Sequence, residues 1–157
     1  MQFHNLFTAA GAVLMSAAAV TACGDGSAAG DGLIKVKSNH SVGDTADRLE
    51  ATLKEKGMRL FARVPHSDGA ASVGLELKPT LLVLFGNPKA GTPLMQQQRT
   101  VAIDLPQKML IWEDAAGAVW LAYNAPAYLK ARHSLPDSPV IEKITGALAN
   151  FAQAATE

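Results

Sequence analysis

Leu81-Leu82-Val83-Leu84-Phe85, stopped by Gly86-Asn87-Pro88, is the stretch on which the fold turns. Five apolar residues in a row are too few for a good helix, and Gly-Asn-Pro marks a turn. The run predicts a central strand covered on both faces. Upstream, Leu33-Ile34-Lys35-Val36-Lys37 alternates and is β-branched, which predicts another strand. Ser41 then opens a helix, with Asp44 in the place of a capping-box acid. Val42, Ala46, Leu49 and Leu53 recur at helical spacing and form one buried stripe, with Glu50 and Lys54 paired on the opposite side. Gly57 supplies the left-handed stop. Residues 58–64 read as a strand, with Met58, Leu60, Ala62 and Val64 on one face and Arg59, Phe61 and Arg63 on the other. A loop over 65–69 and a helical turn over 70–73 lead into Lys78-Pro79.

Downstream, Thr92-Pro93 reads as an N-cap followed by Pro at N1, opening a short helix through Gln97. Residues 108–113 and 118–123 are two strands joined by Asp114-Ala115-Ala116-Gly117, where Gly117 suits a positive φ. Asn124 and Pro126 start a short helix to about Arg132. Ser138-Pro139 begins the last helix, whose stripe is Val140, Ile141, Ile144, Ala147, Leu148 and Phe151. The order of elements predicts α+β: a mostly antiparallel sheet with its helices on one face.

The 157 residues carry 14 basic and 14 acidic side chains, so no basic surface is available to displace counterions and no nucleic-acid partner is expected. A single cysteine excludes a disulfide framework and a Cys-rich zinc site. The first 22 residues hold no Asp, Glu, Lys or Arg, and from Leu6 to Ala22 they are almost wholly apolar or small. They end in Val20-Thr21-Ala22-Cys23, which resembles the bacterial lipobox. The resemblance implies cleavage before Cys23 and a diacylglycerol on its thiol, with residues 1–22 as signal peptide and 23–32 as a flexible glycine-rich tether. The folded domain is then 33–157. The expected partner is a membrane, reached through the lipid on Cys23. Gly24 lacks the aspartate that favours inner-membrane retention, so the expected location is the outer membrane, facing the periplasm. Met1 to Asn5 departs from the signal pattern in having no Lys or Arg.

Further runs carry a second resemblance. Gly74-Leu75-Glu76-Leu77-Lys78-Pro79-Thr80 and Leu84-Phe85-Gly86-Asn87-Pro88-Lys89-Ala90-Gly91-Thr92-Pro93-Leu94-Met95 are the core of it. Ile103-Asp104-Leu105-Pro106, Trp112-Glu113-Asp114 and residues 120–128 extend it. Together they resemble domain-of-unknown-function family 302 over roughly residues 33–151. The resemblance implies a TATA-binding-protein-like β-α-β4-α architecture, here with extra short helices, and no catalytic residues.

Gly86, Asn87, Lys89, Gly91 and Thr92 form the foremost candidate site. Two glycines let amide N–H groups converge, a helix N-terminus adds partial positive charge, and Lys89 adds a full one, which suits a small anion. The spacing is not that of a P-loop. The competing reading is a structural connector in which Asn87 bonds its own backbone. His40, His66 and His133 fall at element ends without ligand spacing, so no metal is expected, and no cofactor is implied. Trp112 and Trp120 face each other across the hairpin, where they could brace a pocket. Two functional classes follow: a lipid-anchored binding or interaction module for a small anionic ligand, and, as the alternative, an enzyme using a cleft near Glu76, Asp104 and His66, with Lys78 beside Glu76. A free sheet edge also allows a homodimer.

Overall fold

The structure, a computed structural model, describes residues 32–157. The expected signal peptide, Cys23 and the tether to residue 31 lie outside the described residues. Five strands, β1 (Leu33–Ser38), β2 (Arg59–Pro65), β3 (Thr80–Gly86), β4 (Gln107–Glu113) and β5 (Val119–Asn124), form one antiparallel sheet in the order β1-β5-β4-β3-β2. Two long helices, α1 (Val42–Glu55) and α5 (Pro139–Thr156), pack against each other and against one face of the sheet. Three shorter helices, α2 (His66–Ser72), α3 (Pro88–Gln97) and α4 (Pro126–His133), and a 3-10 turn at Arg99–Ile103 fill the connections. This is the expected α+β architecture, β-α-β4-α with short helices inserted.

The core follows from two periodicities meeting. Every second residue of β3, β4 and β5 turns toward the helices: Leu81, Val83 and Phe85, then Met109 and Ile111, then Leu121 and Tyr123. From the other side α1 contributes Val42, Ala46, Leu49 and Leu53, as its spacing predicts. Ser41 caps α1 by accepting the Asp44 N–H at 3.1 Å, and its hydroxyl donates to the Asp44 carboxylate at 2.7 Å. Gly57 takes φ +67° to end it. α5 divides its stripe. Ile141, Leu148 and Phe151 are buried, while Val140, Ile144 and Ala147 stay half-buried.

Several local expectations are corrected. β3 is second from an edge, and β4 is the central strand. The outward Leu82 and Leu84 of β3 are only half-covered, because no helix of the α1–α5 layer crosses that face. β2 does not alternate throughout: a bulge between Leu60 and Ala62 inserts Phe61 into the strand, and both Leu60 and Phe61 are exposed. α2 starts at His66, directly after Pro65, where a loop is expected from the sequence. Glu50 meets the Arg63 guanidinium at 3.3 Å, because β2 brings Arg63 over that face of α1. Gly32 already belongs to the domain: its carbonyl accepts the Ala125 N–H at 2.8 Å, and a Cβ there would lie 2.5 Å from the Tyr128 ring.

The β4–β5 hairpin is clamped by one carboxylate. Asp114 accepts the Trp120 indole N–H at 2.8 Å and the Ala116 and Ala118 N–H groups at 2.9 Å each. Trp112 and Trp120 sit directly opposite each other, as expected. The Trp120 bond, followed by that from Ala118, holds the Asp114 carboxyl below the ordinary aspartate range. A carboxyl depressed on folding adds stability above its unfolded pKa and loses it as pH falls through the lower folded value. Acidification below the ordinary aspartate range should therefore loosen the hairpin and shift tryptophan emission before global unfolding. Asp114→Ala should show the loosened emission at neutral pH and no such acid step. An unchanged step in that variant would assign it to another group.

Candidate functional site

At Gly86 the chain leaves β3, and Asn87 takes an extended conformation (φ −136°, ψ 119°) and caps α3. Its Oδ1 accepts the Lys89 N–H at 2.9 Å, and its carbonyl accepts those of Ala90 and Gly91 at 2.9 and 3.0 Å. Pro88 occupies N1, where a missing N–H costs nothing. The helix thus starts five residues before the expected Thr92 cap, and Pro93 lies inside it. Asn87-Pro88 and Thr92-Pro93 are the same cap signal written twice, and the strand end at Gly86 selects the first. Lys89, Gly91 and Thr92 become residues of the first helical turns. The amides expected to cradle an anion are turned onto Asn87.

These residues nevertheless border a cavity of about 590 Å³. Ligand pockets commonly span roughly 300–1,000 Å³. Its floor is the core edge at Phe85, Leu148 and Phe151. One side is the half-buried stripe of α5, Val140, Ile144 and Ala147, which explains why those residues are not packed over. The other side is Met95 of α3 with Ala102 and Leu105 around the 3-10 turn. Met58 and the bulged Phe61 of β2 also line it. A Cβ at Gly86 would stand 3.3 Å from the Phe61 ring, a tight contact that the exposed ring would have to relieve by a small shift. The Leu105–Pro106 peptide bordering the cavity is cis.

The wall is apolar with few exceptions. Lys89 and Lys143 stand at the cavity and are both exposed, and no carboxylate lines it. Gln107, only 9% exposed, lines it from the inward face of β4, and its Nε2 has no hydrogen-bond partner. Gln107 and Lys143 are cavity-lining residues that the sequence reading misses. Gln107 falls in register with inward Met109 and Ile111, so a polar residue on a buried face was the available signal.

The other sequence candidates lie elsewhere. Asp104 is buried and bonded: its carboxylate meets His133 Nε2 at 2.5 Å and Arg132 at 3.1 Å, while His133 Nδ1 meets the Thr100 hydroxyl at 3.0 Å. Lys108 donates to the Asp104 backbone carbonyl at 3.0 Å. Glu76 is exposed on the segment between α2 and β3, and His66 is exposed at the head of α2. Neither shares a hydrogen bond with Asp104 or borders the cavity, so the three are not brought into one cleft. Lys78 turns from Glu76 to Glu113, at 2.9 Å, and to hairpin carbonyls. Trp112 and Trp120 lie outside the cavity lining. Among the described residues no three or more His, Cys, Asp or Glu side chains are grouped to hold a metal ion.

The family model described as Domain of unknown function DUF302 matches residues 34–151. The solved structure titled "Crystal structure of uncharacterized conserved protein DUF302 from Bacillus stearothermophilus" superposes with TM-score 0.65 at 18% identity, over 80% of this chain and 95% of that one. The likeness bears on the fold alone. Among curated proteins, Fluoride-specific ion channel FluC 1 of Brucella suis is 53% identical over 104 residues, 66% of this chain and 41% of that protein. The protein of the same name from Brucella abortus is 53% identical over 104 residues, 38% of its length. The chain therefore spans about two fifths of the curated relatives it matches.

Proposed function

The chain belongs to the family described as Domain of unknown function DUF302; we propose that it is a membrane-tethered module that binds a small anionic amphiphile. The observation that carries the proposal is the apolar cavity of about 590 Å³ with two lysines and no carboxylate around it. An apolar wall favours a hydrocarbon or aromatic body, at about 25 cal/mol per Å² removed from water. Two ammonium groups without a counter-charge favour an acidic head at the solvent end. The small anion expected from the sequence is thus kept, with an apolar body added and the lysines in place of the backbone cradle.

Two features support the tether. Val20-Thr21-Ala22-Cys23 has the form of a lipid-attachment sequence, and a lipid there would hold the domain at the envelope, outer membrane facing the periplasm. The Brucella relatives are named as ion channels. No helix among the described residues is long and apolar enough to cross a membrane, and a 104-residue match falls mostly on those residues. Edge strands β1 and β2 leave a homodimer as a further part of the proposal.

The test is calorimetric titration of residues 32–157 with short-chain anionic amphiphiles, their neutral counterparts and fluoride. The anionic compounds should bind about 10-fold more tightly than the neutral ones, and Lys89→Ala with Lys143→Ala should erase that difference while leaving the melting temperature nearly unchanged. Equal binding of neutral and anionic compounds would remove the charged head from the proposal. Fluoride has no apolar body, so a response to fluoride alone would replace the amphiphile by the ion in the relatives' name.

A further inference from the structure

We propose that the face of the sheet turned away from α1 and α5 is a docking surface for an anionic lipid bilayer. The inference rests on the membrane-tethered reading above and adds the side by which the domain meets the lipid. Residues of β3, β4 and β5 that alternate with the core residues turn away from the helices. In the register, Val64 of β2 stands beside Leu82 of β3, and Leu82 beside Leu110 of β4. In the row at the hairpin end, Trp112 of β4 stands beside Trp120 of β5, and Trp120 beside Lys37 of β1. The five apolar residues are half-buried and Lys37 is exposed. The short α2, with no buried residue, contacts β3 but is too short to cover four strands. An antiparallel sheet with one wet face alternates apolar and polar residues, whereas β3 is apolar on both sides.

Charge selects the occupant. The outward register positions of the strands hold Lys35, Lys37 and Lys108 and no Asp or Glu. Lys108 donates to a backbone carbonyl, which leaves its charge in place. Asp114, in the hairpin turn, has its carboxylate engaged by the Trp120 indole and two backbone N–H groups. Two copies packed through this face would set lysines against lysines with no acid from either side. An anionic bilayer supplies the counter-charge, at about 5-fold in binding for each lysine near its surface. Indoles beside a charged rim suit the boundary between headgroups and acyl chains. Five strands about 4.8 Å apart make the face roughly 20 Å across, the scale of a surface contact.

The chain outside the described residues points the same way. It enters the domain at Gly32, next to β1, the strand that carries Lys35 and Lys37. Residues 23–31 span at most about 30 Å. A lipid on Cys23 would hold this lysine-bearing edge within that distance of the bilayer, so even a weak surface contact would be populated.

The chain has two tryptophans, both on this face, so its emission reports the contact directly. The full chain is reconstituted into vesicles of phosphatidylglycerol or of phosphatidylcholine, with acyl chains brominated near the headgroup or left unbrominated. Bromine should quench the tryptophans strongly in phosphatidylglycerol and weakly in phosphatidylcholine. Lys37→Glu, a change at an exposed residue outside the cavity, should weaken the docked state about 30-fold and leave the melting temperature unchanged. A chain that floats with phosphatidylglycerol vesicles but stays unquenched overturns the docking and leaves the tether in place. Equal quenching in the two lipids overturns the anionic partner. Tryptophans shielded in a dimer that Trp112→Arg splits on sedimentation would give the face to a second copy and overturn the proposal. A chain that floats with neither vesicle overturns the docking and the tether together.

Discussion

Phe85→Ala should lower the stability of the domain by about 3–5 kcal/mol, the range of buried Phe-to-Ala changes. Phe85 is fully buried at the end of β3 and meets Phe151 of α5 edge-on, with ring centroids 6.0 Å apart and planes at 77°. Such aromatic pairs add about 0.5–1.5 kcal/mol to the burial itself. The ring also separates the close-packed core from the cavity, since it belongs to both. Truncation opens the core to the cavity, and neither side can collapse without moving α5 or β3. Urea unfolding should show the midpoint falling by about 2 M. Phe85→Leu, which keeps most of the volume, should cost less than half as much. Equal losses for the two variants would mean that the ring's shape and its edge-on contact with Phe151 matter more than the volume it fills. An apolar compound that fills the enlarged cavity should restore part of the loss by mass action.

How far the fold could be read in advance depends on which interactions are local. The α1 stripe, the Ser41 cap and the hairpin turn at Gly117 are set within a few residues, and each stands as expected. The Leu81–Phe85 run shows that a strand exists but not its neighbours, because an apolar run carries length and no sheet order. Its place beside the edge strand β2 comes from pairing with residues some twenty positions away. The start of α3 failed for a different reason: two equivalent cap signals stand five residues apart, and tertiary pairing at Gly86 and Arg59 chooses between them. The candidate site was legible in location and only partly in chemistry. Gly86, Asn87, Lys89, Gly91 and Thr92 do border the cavity. Its apolar character comes from α5, the 3-10 turn and the bulged Phe61, none adjacent in sequence. The bulge left no signal, because Leu60-Phe61-Ala62 reads equally well as regular strand. Gln107 was readable by period-two counting from Met109 and Ile111.

Asp104→Ala should cost about 1–3 kcal/mol, because it leaves the buried ring nitrogen of His133 without its hydrogen-bond partner. Asp104 ties three elements: it lies at the end of the 3-10 turn, its carboxylate holds His133 and Arg132 at the end of α4, and its carbonyl holds Lys108 of β4. Thr100 extends the network through the other His133 nitrogen. Both carboxylate oxygens are occupied, which accounts for this acid as a clamp more simply than as a general base. The 3-10 turn that it pins contributes Ala102 to the cavity wall, with Leu105 next to Asp104 in the chain. Asp104→Ala should therefore weaken amphiphile binding as well as stability, although Asp104 does not line the cavity. Asp104→Asn keeps one acceptor oxygen and should fall between the wild type and the alanine variant in both measurements. The double change Asp104→Leu with His133→Leu should recover much of the stability, because two apolar residues of similar bulk leave no buried polar group between them. Comparing the four proteins by urea unfolding and by titration separates the roles. Stability recovered together with binding marks a clamp. Stability recovered without binding would show that the carboxylate or the imidazole acts on the ligand itself.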